Sequence, residues 1–412
     1  MNKLAGRLLA RTNLNSETFS GWLPVVYTAF IFLLALALSY GIAPGQLLPG
    51  HSPAEAAVLE ATSTFPDPFE NFLYWPYHLG VYLLRFVVSD GVLAARIFSS
   101  ASALLVAGTF LLLLRRRFGV LISLAGTSLL VLNSWMLQLA RAGTPEMTSL
   151  AFLLVLAACL TLMKDYGHSL QLKLAALTAA VLNWFTPLAP WLITALFLHI
   201  FYRHRVLRRL LSSRLKLSLV ITYIVLAAVM FLSFSYDQQA VFVAWGIPEA
   251  VESVRQVGDN FLQTLKSLVW QAPYNASRWL GRLPLLDVFI AAMIPFGLYF
   301  ARQQPLLRVG KAYLGFGALG LLVIAGLNAG IKTQGVEMLL PLIIIVAVVG
   351  LHEFADHWKK VFPFNPLARA IGIMIIVILV NMSLFYQVRR YFAAWIQHPQ
   401  TQEIYSLQQP EG

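Results

Sequence analysis

The residues best placed to do chemistry are the carboxylates of residues 42–96, a stretch that follows the first long apolar run. It carries Glu55, Glu60, Asp67 and Glu70. A carboxylate can accept a proton from an attacking group within hydrogen-bond reach. Because these acids lie beside an apolar run long enough to cross a bilayer, they predict a reactive site at the membrane surface.

The elements that must position these acids are membrane helices. The chain has 412 residues, of which 58% are hydrophobic and 12% are charged, so it is far more apolar than an ordinary soluble domain. We predict one all-α domain, a polytopic transmembrane bundle of about eleven spans. The predicted spans cover residues 22–43, 94–114, 118–139, 145–163, 170–185, 187–202, 217–235, 285–301, 312–329, 336–351 and 367–386.

The basic residues predict how the bundle is oriented. The formal net charge is +12, but Lys and Arg lie in short clusters between apolar runs, which argues against a nucleic-acid partner. With a cytoplasmic amino terminus, most basic residues lie inside and most acids lie outside. We therefore predict a multi-pass plasma-membrane protein in contact with membrane lipids. The two large loops, 44–93 and 236–284, are then extracytoplasmic.

Two loop segments are predicted to form helices that do not cross the bilayer. Residues 72–88 are apolar, but Pro76, His78 and Arg85 suit a helix at the interface better than one in hydrocarbon. A span at this point would also invert every later loop. In the second loop, apolar residues recur at three- and four-residue steps over 251–269, which predicts an amphipathic helix.

The order of motifs in the amino-terminal half resembles that of the GT-C glycosyltransferases. The resemblance is carried by HSPAEAAVLE, NFLYWPYHLGVYLLRF, AARIFSSASALLVAGTFLLLLRRRFG and NSWMLQLARAGTPEMTSLAFLL. In the branch with protein O-mannosyltransferases and aminoarabinose transferases, similar segments form an acidic motif, juxtamembrane helices, a second span with a basic turn, and the start of the fourth span. The resemblance covers residues 20–205 and is looser beyond them.

The resemblance implies transfer of a sugar, with inversion, from a polyprenyl-phosphate donor to an acceptor glycan, lipid or protein on the outer face. It implies that Glu55 matches the second acid of the family's paired motif, and that Arg141 and Glu146 match the arginine and the acid at the fourth span. Position 54 is Ala, whereas many members have Asp. No residues stand at a metal-ligand spacing, so no metal site or cofactor is assigned, although the resemblance leaves a divalent metal open.

The residue types themselves suit this chemistry. An attacking hydroxyl needs a base and a leaving phosphate needs a cation. We predict Glu55 as the base, Glu146 as a second catalytic residue, and Arg141 as the phosphate ligand, because a guanidinium fork matches phosphate. The other predicted substrate contacts are Lys332, Arg278, Arg282, Tyr74, Trp75 and His78.

Structural explanations compete with each role. Ser52 and Glu55 match a capping box, Glu146 suits the positive end of a helix, and Arg141 could extend to lipid headgroups. Two other functions also stay open, a transporter or lipid flippase and a noncatalytic scaffold. Acids that gather at span ends favour a surface reaction over a transport path, whereas Ala54 keeps the scaffold hypothesis open.

Overall fold

The computed structural model describes residues 22–166, 169–190, 193–194, 213–245, 253–271, 283–303 and 336–406. These residues confirm the predicted all-helical fold. The helices are α1 (Leu23–Ser39), α2 (Pro53–Ala61), α3 (Trp75–Leu84), α4 (Gly91–Arg115), α5 (Val120–Val131), α6 (Ser134–Arg141), α7 (Glu146–Tyr166), α8 (Leu170–Asn183), α9 (Ser213–Tyr236), α10 (Gln238–Ala244), α11 (Val254–Val269), α12 (Val288–Gln303), α13 (Leu340–Val361), α14 (Pro366–Arg389) and α15 (Pro399–Ile404). A 3₁₀ turn, Val336–Leu339, precedes α13, and a π-helical turn, Arg390–Trp395, continues α14 and is called the π-turn below.

The chain divides into two compact units, Met1–Tyr40 and Gly41–Gly412. The first contains α1, a largely apolar helix with proline in its first turn. In the second, four helices are long and apolar enough to cross a bilayer, namely α4, α7, α13 and α14 with its π-turn. The 25 residues of α4 extend for about 37 Å, more than the hydrocarbon thickness. The protein is therefore a multi-pass membrane protein.

Nine of the eleven predicted spans coincide with helices of the described residues. Besides the four long helices, the matches are the shorter apolar helices α1, α8, α9 and α12 and the bent pair α5 and α6. The spans predicted at 187–202 and 312–329 lie wholly or largely outside the described residues. Within the described residues, hydropathy thus located the apolar helices correctly.

The span predicted at 118–139 is wrong as a single helix. Helices α5 and α6 meet at 64°, because the Asn133 carboxamide accepts a hydrogen bond from the Trp135 N–H (3.0 Å) and caps a new helix. All eight residues of α6 are buried. The bend therefore directs the last residue of α6, Arg141, into the protein.

The two predicted loop helices are present. Helix α3 has ten residues and extends for about 15 Å, half the thickness of the bilayer core. Helix α11 lies within the predicted amphipathic segment and is capped by the side chain of Ser253. Backbone hydrogen bonds of 3.0 Å from Leu285 and Leu286 to its last turn join α11 to the segment that leads into α12.

Helix α4 packs against helices that precede it and helices that follow it along the chain. It contacts α2, α3, α5, α6 and α7. Four buried alanines, Ala94, Ala95, Ala103 and Ala107, let neighbouring backbones approach closely, as small residues do between membrane helices. The first turns of α4, which carry Arg96, are consequently enclosed by protein.

Candidate active site

Glu55 lies in the first turn of α2 and is only 1% exposed. Its Oε2 accepts the Ser52 N–H (2.8 Å), and its own N–H donates to Ser52 Oγ (3.3 Å), so the capping box is present. Arg96 also donates to this carboxylate, through Nε to Oε1 (2.7 Å) and through Nη2 to Oε2 (3.2 Å). Glu55 is therefore both a helix cap and one half of a buried ion pair.

Arg96 joins the first loop to α4 and was not predicted as a site residue. Beyond Glu55, its guanidinium donates to the carbonyls of Ile42 (3.1 Å) and Gly50 (2.7 Å). Burying an ion pair carries a desolvation cost that only good geometry and further hydrogen bonds offset, and Arg96 has both. The available signal was an arginine inside a predicted span, which by default suggests a functional site.

Gly143 brings the connection between α6 and α7 against this ion pair. Its φ of +57° lies in the left-handed region, which favours glycine. An added Cβ would lie 3.1 Å from Glu55 Oε1 and 3.2 Å from the Ala95 Cβ. The absent side chain therefore allows the segment that carries Arg141 and Glu146 to approach Glu55.

Arg141 is buried at the end of α6, with 4% of its surface exposed. It donates to the carbonyl of Gly41 (3.2 Å), the residue before the Ile42 that Arg96 contacts. Its Cζ lies 5.4 Å from the ring centroid of Tyr391 and 4.8 Å from that of Phe392, within cation–π range. A position among lipid headgroups does not fit this burial.

Glu146 begins α7 and is 4% exposed, a placement that favours its charge at the positive helix end. Tyr77 of α3 is close enough to Glu146 and Glu55 for both charges to act on it. Its hydroxyl lies 3.2 Å from Ser99 Oγ. Burial raises the pKa of Tyr77, the Ser99 hydrogen bond opposes this, and the charges of Glu146 and Glu55 raise it further. Tyr77 therefore keeps its proton at neutral pH.

Aromatic side chains from the end of the described chain complete this cluster. The ring of Tyr391 stacks on Trp395 at 5.3 Å, and Trp395 meets Tyr405 edge-on at 5.7 Å. Burial raises the pKa of Tyr405, and the negative charge of Glu55 adds to the effect. These three residues were not predicted as site residues, since they follow Ser52 by more than 300 positions. We call Glu55, Arg96, Arg141 and Glu146 with these aromatics the ion-pair cluster.

A second group of buried polar side chains, the Asp287 cluster, lies at the start of α12. Asp287 Oδ1 accepts the N–H of Ile290 (2.8 Å) and caps the helix. Its Oδ2 accepts hydrogen bonds from the Ser383 hydroxyl and the Gln387 amide of α14. Gln387 Oε1 in turn accepts the Ser134 N–H (3.1 Å), so this cluster ties the bend between α5 and α6 to α14.

Arg390 extends the Asp287 cluster into the π-turn. It donates to the carbonyls of Pro284 (2.8 Å) and Leu283 (3.2 Å). A π-helical turn shifts the register of a helix and often occurs at functional sites. Here the π-turn carries Tyr391 and Phe392 against Arg141, so the Asp287 cluster holds one wall of the ion-pair cluster.

Tyr74, Trp75 and His78 lie at the start of α3. Tyr74 has a φ of 63°, uncommon for a bulky residue, and its N–H donates to the Phe185 carbonyl (2.7 Å). Trp75 Nε1 donates to the Pro66 carbonyl (2.9 Å). Burial lowers the pKa of His78 to about 4, so this side chain is neutral at pH 7. Tyr74 therefore fixes the start of α3 to the segment after α8, and Trp75 fixes it to the preceding part of the first loop.

Three other acids of the first loop, Glu60, Asp67 and Glu70, are solvent-exposed. A fourth, Asp90, is half-buried and accepts the N–H groups of Val92 and Leu93 at the start of α4. Ala54 is exposed as well, so residue 54 points away from the buried carboxylate of Glu55. An aspartate at this position would face the surroundings of α2 rather than Arg96.

Three predicted substrate contacts, Lys332, Arg278 and Arg282, lie outside the described residues. Within the part of the chain that the structure describes, no three His, Cys, Asp or Glu side chains are grouped so that they could hold a metal ion.

The ion-pair cluster can accept a proton and stabilise an anion. A carboxylate offers about four acceptor positions, and the hydrogen bonds from Ser52 and Arg96 place two donors on Glu55 Oε2 and one on Oε1. The less occupied oxygen, Oε1, is the one that faces Gly143. Arg141, two residues before Gly143, supplies a second buried guanidinium to the cluster, and such a charge stabilises a developing negative charge.

Comparison with solved structures finds proteins of the same fold. ArnT from Cupriavidus metallidurans bound to undecaprenyl phosphate matches with a TM-score of 0.56 and 14% identity over 93% of this chain and 77% of that chain. The apo state of the same protein matches with a TM-score of 0.52 and 14% identity over 93% and 76% of the two chains. No protein-family model and no curated protein matches the sequence. The structural likeness shows that the chain has the GT-C fold that its motifs resembled.

Proposed function

We propose that this chain, which has the fold of ArnT, is a membrane glycosyltransferase that uses a polyprenyl-phosphate sugar as donor. Undecaprenyl phosphate bound to ArnT supports this donor class. We place the acceptor, a glycan, lipid or protein, at the extracytoplasmic face, because the bias of basic residues puts the first loop outside.

The observation that carries the proposal is the convergence of acids and arginines from distant segments. Glu55 from the first loop and Arg141 from α6 are joined through the adjacent residues Gly41 and Ile42, which accept hydrogen bonds from Arg141 and Arg96. Glu55 also lies against Gly143, two residues after Arg141. A purely structural ion pair does not require a second buried arginine beside it.

The proposed reaction is a single displacement at the anomeric carbon. The acceptor oxygen forms a bond to that carbon while its proton passes to Glu55 Oε1. The bond between the anomeric carbon and the donor's phosphate oxygen breaks on the opposite face, so the configuration inverts. The electron pair leaves with the phosphate, and Arg141, held by Gly41 and the Phe392 ring, stabilises the new charge.

The proposal assigns the phosphate charge to Arg141 and assigns no resident cofactor. Participation by a divalent cation is testable in the same assay. Loss of transfer with EDTA and its return with Mg²⁺ or Zn²⁺ would add a metal to the reaction.

A noncatalytic scaffold is the second candidate, and one observation favours it. The exposed position on α2 is Ala54, while the buried acid Glu55 is already paired with Arg96. If the chemistry required an exposed carboxylate at position 54, the wild-type protein would be inactive. The variant Ala54→Asp would then gain transfer activity, whereas an enzyme that uses Glu55 should change little.

The deciding experiment measures sugar transfer by purified protein in proteoliposomes. The probes are radiolabelled undecaprenyl-phosphate hexose, pentose and aminopentose, with extracted membrane lipids and glycans as acceptors. We expect Glu55→Gln to lower transfer by about 10²–10⁴-fold, the usual contribution of a general base. The matched control is Glu60→Gln, which alters an exposed acid of the same helix and should keep full activity.

A second variant separates loss of the base from loss of folding. Glu55→Gln leaves the Arg96 charge buried and unpaired, which destabilises a protein. The double variant Glu55→Gln with Arg96→Gln removes both charges and should fold but not transfer. Wild-type transfer by this double variant would contradict the proposed role of Glu55, and translocation of the labelled lipid without transfer would identify a flippase.

A further inference from the structure

Helix α11, in the second large loop, has three faces with different surroundings. Successive residues of an α-helix are rotated by about 100° around its axis, so residues three and four positions apart share a face. On the first face, Ser267 and Leu268 are buried, and Val257, Phe261 and Thr264 are half-buried. This face of α11 therefore lies against the protein.

The second face of α11 is apolar and exposed. It consists of Leu262, Leu265 and Val269, which are 54%, 38% and 56% exposed. Trp270, which follows the last turn of the helix, is also exposed. A single exposed apolar side chain needs no explanation, but neighbouring ones that form a continuous row indicate a surface that meets an apolar partner. We call these three residues the exposed apolar face of α11.

The third face of α11 is polar. Arg255, Asp259, Gln263 and Lys266 are exposed. Arg255 and Lys266 lie within about 40° of Leu262 around the helix axis, so both cations border the exposed apolar face, while Asp259 and Gln263 lie farther from it. Arginine and lysine at such a border can place their apolar stems along lipid chains and their charges at lipid phosphates.

The last turn of α11 lies beside the start of a helix that is predicted to cross the bilayer. Its Ser267 and Leu268 carbonyls accept the N–H groups of Leu285 and Leu286 (3.0 Å each), and α12 begins two residues later. The first residue of α12, Val288, is 86% exposed, as expected of a side chain that faces lipid. The 16 residues of α11 extend for about 24 Å, less than the bilayer core, so α11 itself does not cross.

We propose that α11 lies in the surface of the phospholipid bilayer, in the leaflet at which α12 begins. In this arrangement Leu262, Leu265 and Val269 lie among the upper acyl chains, and Arg255 and Lys266 lie at the lipid phosphates. An apolar face bordered by cations suits the membrane interface, where such helices insert by about 5–10 Å. The bilayer around α12 is the apolar surface adjacent to the last turn of α11. This contact does not depend on the proposed sugar transfer.

The membrane contact of α11 is close to one wall of the ion-pair cluster. Leu283 and Pro284, which directly precede the residues bonded to α11, accept hydrogen bonds from Arg390. Arg390 is the first residue of the π-turn, which carries Tyr391 over Arg141. The segment between α11 and α12 therefore binds both the helix at the membrane surface and the π-turn.

Fluorescence quenching tests which face of α11 meets lipid. Single cysteines are placed at Leu262, Val269, Asp259 and Gln263 in a Cys159→Ala background, which removes the chain's single cysteine. Each cysteine is labelled with bimane, and the protein is reconstituted in vesicles of phospholipids brominated in the upper acyl chains. We expect the labels of Leu262→Cys and Val269→Cys to emit at shorter wavelength and to lose intensity to brominated lipid.

The matched controls are Asp259→Cys and Gln263→Cys, on the polar face of the same helix. Their labels should be quenched by aqueous iodide and little affected by brominated lipid. Equal quenching by iodide at Leu262→Cys and Gln263→Cys would overturn the proposal, since both faces would then lie in water. Protection of the Leu262→Cys and Val269→Cys labels from both quenchers would also overturn it, because a second copy or another protein would then cover the apolar face.

A second measurement tests whether α11 stays on the protein while it lies in the membrane. Leu268 belongs to the buried face, so the thiol of Leu268→Cys should react with a membrane-permeant maleimide far more slowly than that of Gln263→Cys. Equal reaction rates would mean that α11 leaves the protein, and the arrangement of three faces would be wrong. None of these measurements uses sugar transfer, so their failure would leave the proposed function standing, and failure of transfer would leave the membrane contact standing.

Discussion

The two buried polar clusters satisfy their charges in different ways. In the ion-pair cluster, the carboxylate of Glu55 is matched by a full opposite charge on Arg96, and a second arginine, Arg141, is buried over the ring of Tyr391. In the Asp287 cluster, the carboxylate is matched by one backbone N–H and by the neutral side chains of Ser383 and Gln387.

This difference separates a site that can handle changing charge from one that holds helices together. Neutral donors fixed by two helices suit a side chain that caps α12 and binds α14. Formal positive charges beside a carboxylate suit a reaction in which a proton arrives and an anion leaves. We therefore assign the chemistry to the ion-pair cluster and a supporting role to the Asp287 cluster.

The largest expected effect comes from breaking the ion pair on its basic side. Arg96→Met leaves Glu55 buried without its cation, which should destabilise the protein by about 3–5 kcal/mol. Thermal unfolding in detergent measures the loss. The double variant Arg96→Met with Glu55→Met should recover most of the stability, and an unchanged melting temperature in Arg96→Met would show that the pair is not buried as described.

Breaking the Asp287 cluster should cost less and should affect stability rather than chemistry. Asp287→Asn weakens the cap and the bonds from Ser383 and Gln387, at about 1–3 kcal/mol. Transfer per folded molecule should stay within twofold of wild type. A large fall in kcat with normal stability would mean that the two clusters have been assigned the wrong way round.

Gly143→Ala tests how tightly the ion-pair cluster is closed. The φ of +57° disfavours alanine, and the new Cβ would crowd Glu55 Oε1. We expect the free energy of unfolding to fall by about 1 kcal/mol. We expect kcat in the transfer assay to fall by more than the fivefold that corresponds to about 1 kcal/mol. Gly258→Ala is the control, since nothing lies within 4 Å of a Cβ added there.

Arg141→Lys sharpens the role of the second arginine. Lysine keeps the charge but loses the planar fork that stacks on Phe392 and matches phosphate. We expect a loss of about 1 kcal/mol, or fivefold, in affinity for undecaprenyl phosphate alone. Binding to the variant at wild-type affinity would remove Arg141 from the phosphate site.

The smallest expected effect is on the pH dependence of stability, and it comes from His78, which belongs to neither cluster. Burial lowers the pKa of His78 from 6.5 to about 4, so between these values the unfolded chain holds more protons than the folded chain. Stability contributed by His78 should therefore fall as pH is lowered through this window. His78→Gln should show a smaller drop in melting temperature from pH 7.5 to pH 5 than wild type, whereas His398→Gln, an exposed control, should not.

The fold was largely predictable because hydropathy acts locally. Apolar runs located nine of the predicted spans on helices, and Ser52 with Glu55 marked the start of α2. The bend at Asn133 was missed, since a single cap between two apolar runs changes the mean hydropathy little. Its direction depends on Gln387, which lies more than 250 positions away.

The candidate site was only partly predictable, because its partners meet through tertiary packing. Glu55, Arg141 and Glu146 were found from their types and their order along the chain. Arg96 was missed because it looked like part of a span, and Tyr391 because nothing in its local sequence indicates a contact with Arg141. Pairings over such separations are set by the packed bundle rather than by any local pattern.

The most direct test of the central claim is a single-turnover measurement of sugar transfer with donor already bound, comparing Glu55→Gln, in the Arg96→Gln background, with Asp287→Asn. We expect the first to bind undecaprenyl-phosphate sugar but to fail to transfer it, and the second to transfer at the wild-type rate per folded molecule. Equal rates for the two proteins, or a slower rate for Asp287→Asn, would contradict the claim that the ion-pair cluster carries the chemistry.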